Sequence, residues 1–167
     1  GTYTVVEYDV PLTGDQFIDG VMFNPGRSWT GNTGQGVTIT YDFMSSLTNQ
    51  AAKRAIIVES MSDWSDVANI TFQEVTSGGD FSFHMEPSQG QGYAGYAQSS
   101  SSGSTIVSST IVIVDGNWTV GNHYHTTVIH EIGHALGLSH THDGALPLGP
   151  TLSNGDNSVM SYASANG

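Results

Sequence analysis

The feature that most constrains this chain is a pair of histidines one helical turn apart, within the stretch H-E-I-G-H-A-L-G-L-S-H at residues 130–140. His130 and His134 share one face of a helix, with Cβ atoms about 5–6 Å apart, so two neutral imidazoles can hold a zinc ion at about 2.0–2.1 Å. Gly137 is predicted to end this helix in the left-handed conformation. The chain then turns back, and His140 can provide a third ligand. Three protein ligands leave the fourth position for water, which is typical of a catalytic zinc site rather than a structural one.

Glu131 directly follows the first of these histidines. A carboxylate at this position is placed to accept a hydrogen bond from a water at the metal rather than to ligate the metal itself. The motif also has a glycine seven positions and a histidine ten positions after the first histidine. With these two residues included, the chance that the motif arises at random is on the order of one in ten thousand. An inactive zinc-containing binding module is the alternative from a different functional class. Glu131 argues against it, because a non-catalytic site has no chemical use for that carboxylate.

The charge composition excludes whole classes of partner. The 167 residues contain 3 Lys and Arg against 15 Asp and Glu, which gives a net charge of −12. Nucleic-acid binding needs basic side chains that displace counterions from phosphates, and an anionic membrane surface also attracts cations, so neither is expected as a partner. No apolar run is long enough to span a bilayer. The absence of cysteine excludes disulfides and thiolate metal ligands.

Hydrophobic periodicity predicts a single α/β (α+β) domain. Three- and four-residue spacing indicates helices at 48–67, with Thr48 as N-cap, and at 123–138. The Ser-rich segment 98–105 is predicted to be a loop. Residues 1–36 are predicted to be an irregular arm that packs on the core, because they are too apolar for a free tail. Alternation or β-branched runs indicate strands at 37–43, 69–75, 80–85, 93–98 and 105–114.

A second motif follows, where residues 158–162 read S-V-M-S-Y. The pattern H-E-x-x-H-x-x-G-x-x-H followed by such a Met-turn resembles the metzincin zinc metalloproteases. Both motifs are most similar to the serralysin-like branch, and a matrixin-like protease is the runner-up. The similarity extends over residues 37–162, with landmarks at 39–43, 64–72 and 93–94. It departs from the serralysin pattern at Thr141, where that branch usually has proline; this change leaves the preceding ligand intact and affects only the local loop.

The resemblance implies a role for each residue of the two motifs. It implies one catalytic zinc ion, with no further cofactor, and peptide-bond hydrolysis by a zinc-activated water with Glu131 as general base. Met160 would form an apolar floor beneath the metal. Tyr162 would ligate zinc at rest and swing to hydrogen-bond the oxyanion; the alternative is a buried core tyrosine. The implied zinc ligands are His130, His134 and His140.

The resemblance also implies how the chain is organised. It predicts a twisted, mostly parallel sheet with an antiparallel edge strand, a long helix, an active-site helix and a small loop-rich C-terminal lobe. The expected division is an arm at 1–36, an upper subdomain at 37–140 and a short lower subdomain at 141–167, without the calcium-binding repeat domain of serralysins. Only residues 163–167 follow the Met-turn. Either the chain is a truncated or processed catalytic core, or the arm takes the place of the C-terminal helix that metzincins normally have.

Substrates and surroundings are implied in the same way. Polypeptides are the expected substrates, bound by strand addition at the edge formed by Ala94, Gly95 and Tyr96; a plain surface hairpin is the alternative. The protein is expected to be a secreted monomer, with a proteinaceous inhibitor as a further option. Calcium is not indicated: the Asp-Gly-Asn turn at 115–117 can hold Ca2+, but a hairpin turn is the favoured interpretation.

Overall fold

The computed structural model describes residues 27–30, 35–143 and 158–161, and a five-stranded sheet lies at its centre. The order across the sheet is β2-β1-β3-β5-β4. All neighbours pair in parallel except β4, which lies antiparallel to β5 at one edge. The predicted mostly parallel sheet with an antiparallel edge strand is confirmed. In chain order the strands are β1 (Val37–Phe43), β2 (Ile70–Glu74), β3 (Phe81–Glu86), β4 (Gly95–Ser102) and β5 (Thr105–Val114).

Two helices of the described part of the chain complete the core. They are α1 (Ala51–Val67) and α2 (His123–Ala135), which correspond to the predicted long helix and active-site helix. The indole N–H of Trp64 on α1 donates to the carbonyl of Ile129 on α2 at 3.1 Å and joins the two. The strands contribute alternate residues to the core, as side chains of period two must. One buried cluster unites both layers, and it includes Ile39, Phe81, Phe83, Ile111 and Ile113 from the strands and Ile57, Met61, Val128 and Ile132 from the helices.

Helix α1 begins later than the sequence predicts. Thr48 lies at the end of a 3₁₀ turn at Ser45–Leu47, and the helix starts only at Ala51. Leu47 is fully buried, so the chain makes an extra turn that inserts this side chain into the core. Gln50 precedes the helix, and its side chain makes no capping hydrogen bond. The prediction of a Thr48 cap is therefore wrong.

The Ser-rich segment is also not a loop. Strand β4 continues through Ser102, and Gly103, with a φ of +62°, turns the chain into β5. Ser99 pairs with Ser109 across the ladder, and its hydroxyl donates to the Ser109 hydroxyl at 3.0 Å. The prediction of a loop at 98–105 is wrong because β5 supplies a long, β-branched pairing partner, and such context outweighs the low strand propensity of serine.

The described part of the N-terminal arm packs on the core, as predicted. Ser28 exchanges backbone hydrogen bonds with Ser104 and Ile106 on the β4–β5 hairpin. Trp29 packs edge-on against Phe81, and its indole N–H donates to the Ala135 carbonyl at 2.9 Å. These contacts place the arm against the sheet and the end of α2.

The remaining segments of the predicted arm and lobe, residues 1–26, 31–34, 144–157 and 162–167, lie outside the described residues. The division into an arm and two subdomains therefore stays a prediction. Neither described helix combines the length and the apolar character that a bilayer crossing requires.

Candidate functional site

Helix α2 carries the first part of the histidine motif and is fixed at both ends. The side-chain oxygen of Asn122 caps its start by accepting from the N–H groups of Tyr124 and His125 at 3.0 and 3.3 Å. Gly137 follows its end with a φ of +103°. A Cβ at Gly137 would lie 2.7 Å from the carbonyl oxygen of Arg27, so both the backbone angle and the close approach require glycine. The predicted turn after the helix is confirmed.

Three imidazoles converge where the chain turns back. The Nε2 atom of His134 lies 3.0 Å from Nε2 of His130 and 3.0 Å from Nε2 of His140. Nitrogen ligands at about 2.0–2.1 Å from a tetrahedral zinc ion lie roughly 3.3 Å apart, so the observed spacing fits such an ion. The structure thus brings together the three histidines that the sequence singles out, and they form a group that can hold a metal.

The hydrogen bonds of Nδ1 in two of these histidines show that their converging Nε2 atoms present lone pairs. Nδ1 of His130 lies 2.6 Å from the carbonyl oxygen of Val159, and Nδ1 of His134 lies 2.8 Å from that of Leu138. A carbonyl oxygen only accepts, so these Nδ1 atoms carry the protons and the Nε2 atoms present lone pairs. Lone pairs that face each other at 3.0 Å repel unless a cation lies between them. The donor set therefore fits a divalent metal of the kind that imidazoles bind.

Burial keeps these imidazoles neutral. Desolvation lowers the pKa of His134 from 6.5 to about 4 and also lowers the pKa values of His130 and His140. Asp143, whose Oδ2 lies 3.5 Å from Nδ1 of His140, opposes the lowering of the His140 pKa. The neutral form is the one that binds metal, so the ligands are ready for metal below neutral pH.

Glu131 is buried beside the three histidines. Desolvation of this side chain, which is 4% exposed, raises its pKa from 4.5 to about 7. A Cβ at Gly95 would lie 3.1 Å from Cγ of Glu131 and 2.8 Å from the carbonyl oxygen of Val112. The start of β4 therefore passes directly over the Glu131 side chain. Only glycine fits at position 95, because any Cβ there would be too close to these atoms. A carboxyl group with such a raised pKa in a cleft is a common feature of catalytic acids and bases.

Met160 packs against the same helix, and its role as a floor beneath the metal stays a prediction. It is 1% exposed, and a Cβ at Gly133 would lie 2.5 Å from its sulfur and 3.0 Å from Cζ2 of Trp64. Its carbonyl accepts from the N–H of Thr141 at 3.3 Å, which ties the Met-turn to the residue after the third histidine. The motifs in the sequence predict no role for Gly133 or for the Trp64 indole. A glycine inside a helix, where it costs about 1 kcal/mol relative to alanine, was the signal for this close contact.

A cleft extends to both sides of Glu131. One cavity of about 670 Å³ reaches from His130 to Ala94, and another of about 550 Å³ reaches from His134 and His140 to Tyr96. Gly95 and Glu131 line both cavities. The three residues predicted to bind substrate therefore border the cleft that contains the histidines.

Two further predictions have different outcomes. Tyr162 lies outside the described residues, so its role stays a prediction. The carboxylate of Asp115 pairs with the ammonium group of Lys53, which also lies 5.5 Å from the ring centroid of Trp118. This pairing argues against a calcium ligand at Asp115. Residues 115–117 lie between β5 and α2, however, so the prediction of a hairpin turn there is wrong.

Comparison with known sequences identifies relatives of the chain. The matrixin family (Peptidase_M10) matches residues 28–163. Metallopeptidase AprA of Pseudomonas marginalis is 29% identical over 145 residues, which is 73% of this chain and 30% of that protein. Metalloprotease AprA of Pseudomonas entomophila (strain L48) is 37% identical over 112 residues, which is 62% of this chain and 22% of that protein. The chain thus spans less than a third of the length of these two relatives.

Among solved structures, two of myroilysin are similar to this one. The first has a TM-score of 0.46 and 28% identity, and it covers 63% of this chain and 50% of its own. The second has a TM-score of 0.49 and 21% identity, and it covers 83% of this chain and 58% of its own.

The family match runs from the described part of the arm through the histidine motif to the Met-turn. Together with the two metallopeptidase relatives, it confirms the predicted metzincin catalytic domain of serralysin-like type. It also confirms zinc as the metal of the family, to which the three-histidine group corresponds. The chain belongs to the matrixin family of metallopeptidases.

Proposed function

We propose that this chain is the catalytic part of a secreted, zinc-dependent endopeptidase that hydrolyses peptide bonds in polypeptides. One observation carries the proposal: three imidazole nitrogens, 3.0 Å apart around His134, converge beside the buried carboxyl group of Glu131 in an open cleft. His130, His134 and His140 would hold the metal. A carboxyl group at this place has an obvious use only where a proton must be moved.

In this proposal Glu131 is the general base and later the proton donor. Zinc, when bound, supplies Lewis-acid chemistry, which polarises a carbonyl and acidifies water. The Glu131 carboxylate accepts a proton from the attacking water and returns it to the leaving nitrogen of the peptide. A cation on the neighbouring imidazoles favours the ionised carboxylate, so in the loaded site Glu131 is ionised, and able to accept a proton, at a lower pH than its pKa of about 7 in the metal-free chain indicates.

The substrate would lie as an extra strand along β4. The N–H of Val114 donates to the carbonyl of Ala94 at 2.8 Å. Hydrogen-bonded and non-hydrogen-bonded pairs alternate in an antiparallel ladder, so the backbone groups of Gly95 and Ala97 point away from β5. In the described part of the chain no strand pairs with this edge. An extended peptide can pair with it, with its side chains directed to the cavities on either side of Glu131.

Tyr162 would stabilise the oxyanion that forms during attack. It is two residues beyond Met160, which packs beneath α2, and its hydroxyl would donate to the developing charge. Removal of one such donor typically lowers the rate roughly 10²–10³-fold. This role is carried over from the resemblance to serralysins.

We also propose a location, an oligomeric state and a set of partners for the enzyme. We expect a secreted monomer in which residues 1–167 act as one catalytic domain, with no nucleic-acid or membrane partner. The net charge of −12 supports the absence of both. A proteinaceous inhibitor would occupy the same cleft as the substrate.

Casein hydrolysis by wild type and Glu131→Gln, each with and without a chelator, tests this proposal. We expect the wild type to be active and sensitive to the chelator. Glu131→Gln should keep its zinc and lose roughly 10²–10⁴-fold in rate. Glu59→Gln, an exposed glutamate on α1, is the matched control and should keep the wild-type rate. Equal activity in all samples contradicts the proposal, and zinc binding without hydrolysis by the wild type favours the inactive binding module.

A further inference from the structure

Glu86, the last residue of β3, connects two tyrosines that flank the edge described above. The Tyr93 hydroxyl donates to Oε2 of Glu86 and the Tyr96 hydroxyl donates to Oε1, both at 3.0 Å. The two tyrosine rings pack edge to face with centroids 5.7 Å apart. One carboxylate therefore accepts from both tyrosines. Hydrogen bonds to an ionised acceptor are stronger than those between neutral groups.

Between the two tyrosines lie Ala94 and Gly95, and Gly95 is the residue that passes over Glu131. Tyr93 lines the cavity on the His130 side, and Tyr96 lines the cavity on the His134 side. The chain before them, residues 87–94, forms neither helix nor strand. The Glu86 carboxylate is thus an anchor at the point where an irregular segment becomes the edge strand.

We propose that Glu86 is a positioning residue for substrate binding: it holds Tyr93 and Tyr96, and through them it fixes the backbone of Gly95, with which an extended peptide pairs. This inference rests on the proposed function. Glu86 lines neither cavity, so it acts through the tyrosines and not on the peptide. The hydrogen bonds to Glu86 also raise the pKa values of both tyrosines, as is expected when a carboxylate accepts from a phenol.

A residue of this kind affects binding more than chemistry. The edge strand contacts the peptide in the ground state and in the transition state alike, and loss of such uniform binding raises KM while kcat is unchanged. Loss of Glu131, which moves a proton only during reaction, lowers kcat instead. The split between KM and kcat therefore distinguishes positioning by Glu86 from a catalytic role.

The test uses the full chain and an internally quenched peptide of about ten residues taken from casein. We expect Glu86→Ala to raise KM roughly five- to tenfold with kcat within twofold of wild type. Glu86→Gln, which keeps one acceptor oxygen, should show a smaller rise, as should Tyr93→Phe and Tyr96→Phe. Zinc content should stay at the wild-type level in all four variants.

Glu74→Ala is the matched control. Glu74 accepts from the Tyr41 hydroxyl at 3.5 Å on the β1–β2 side of the sheet, away from the cleft. Its substitution removes a tyrosine–glutamate contact of the same type and should leave KM unchanged. An equal rise of KM in Glu74→Ala and Glu86→Ala, or a fall of kcat at constant KM in Glu86→Ala, overturns the inference.

Hydrogen exchange on the same variants needs no catalysis and keeps the inference separate from the proposed function. We expect Glu86→Ala to speed exchange of the amides of Tyr96 and Val114, which bond across the β4–β5 ladder, while Glu74→Ala does not. Unchanged protection of these amides in Glu86→Ala overturns the positioning role, even where the wild type fails to cleave. A wild type that does not cleave, in contrast, contradicts the protease proposal alone.

Discussion

Replacement of Glu131 by glutamine should stabilise the metal-free protein while it abolishes the proposed activity. Desolvation raises the pKa of Glu131 from 4.5 to about 7. A difference of one pH unit between the folded and unfolded pKa is worth about 1.4 kcal/mol. At pH 8 the buried carboxylate is charged in the folded state, so it lowers the free energy of unfolding by about 3 kcal/mol. Glutamine has nearly the same shape and no charge, so it removes this cost.

Because the folded pKa of Glu131 is raised, the free energy of unfolding should fall as the pH rises. Below pH 4.5 the carboxyl group is neutral in both states, and the folded protein carries no penalty. Between pH 4.5 and 7 the group ionises only on unfolding, so stability falls as the pH rises, and the full loss is reached above the folded pKa of about 7. We therefore expect Glu131→Gln to exceed wild type by about 3 kcal/mol at pH 8 and by less than about 1 kcal/mol at pH 5.

Urea unfolding of the metal-free proteins, followed by tryptophan fluorescence, measures this difference. The histidines that titrate in the same range are common to both proteins, so they cancel in the comparison. Glu59→Gln, at an exposed position on α1, should show no gain at either pH. If Glu131→Gln and wild type have the same stability at pH 8, or if their difference does not change with pH, Glu131 carries no buried charge and the reasoning is refuted.

The other predictions concern packing, metal release and the oxyanion. Gly133→Ala should destabilise the protein by about 1–3 kcal/mol, because its Cβ would lie 2.5 Å from the sulfur of Met160; thermal unfolding should show that Met160→Ala costs less stability in the Gly133→Ala chain than in the wild type. Zinc affinity, measured by competition with a chelator, should fall little between pH 7.5 and 6, since burial holds the pKa of His134 at about 4. A histidine with an ordinary pKa of 6.5 would be protonated enough at pH 6 to weaken zinc binding about fourfold. A loss of that size for each histidine would contradict the burial. Tyr162→Phe should lower kcat roughly 10²-fold or more with a smaller effect on KM, whereas Tyr41→Phe, on β1, should not; an unchanged kcat in Tyr162→Phe counts against the oxyanion role.

Local spacing determined much of this protein in advance. Two histidines four residues apart share a helix face in any α-helix, and Glu131 then lies beside the first of them whatever the rest of the fold does. Gly137 follows the helix with a positive φ as predicted. The strands at 37–43 and 105–114 have the bounds that alternation and β-branched residues indicated. These features depend on the nearest neighbours in the chain, so the sequence alone was enough for them.

Contacts between distant segments required the tertiary structure. Ser99–Ser102 form a strand because β5 lies beside them, and Thr48 is no cap because the burial of Leu47 sets where α1 begins. The proton positions on His130 and His134 depend on two backbone carbonyls, one of them at Val159. The carboxylate of Glu86 meets two tyrosines only because β3, β5 and β4 are neighbours in the sheet. Helical and strand periodicity determine which side of an element a residue lies on. Packing determines which residues that side contacts, and the free energy of packing depends on the whole fold.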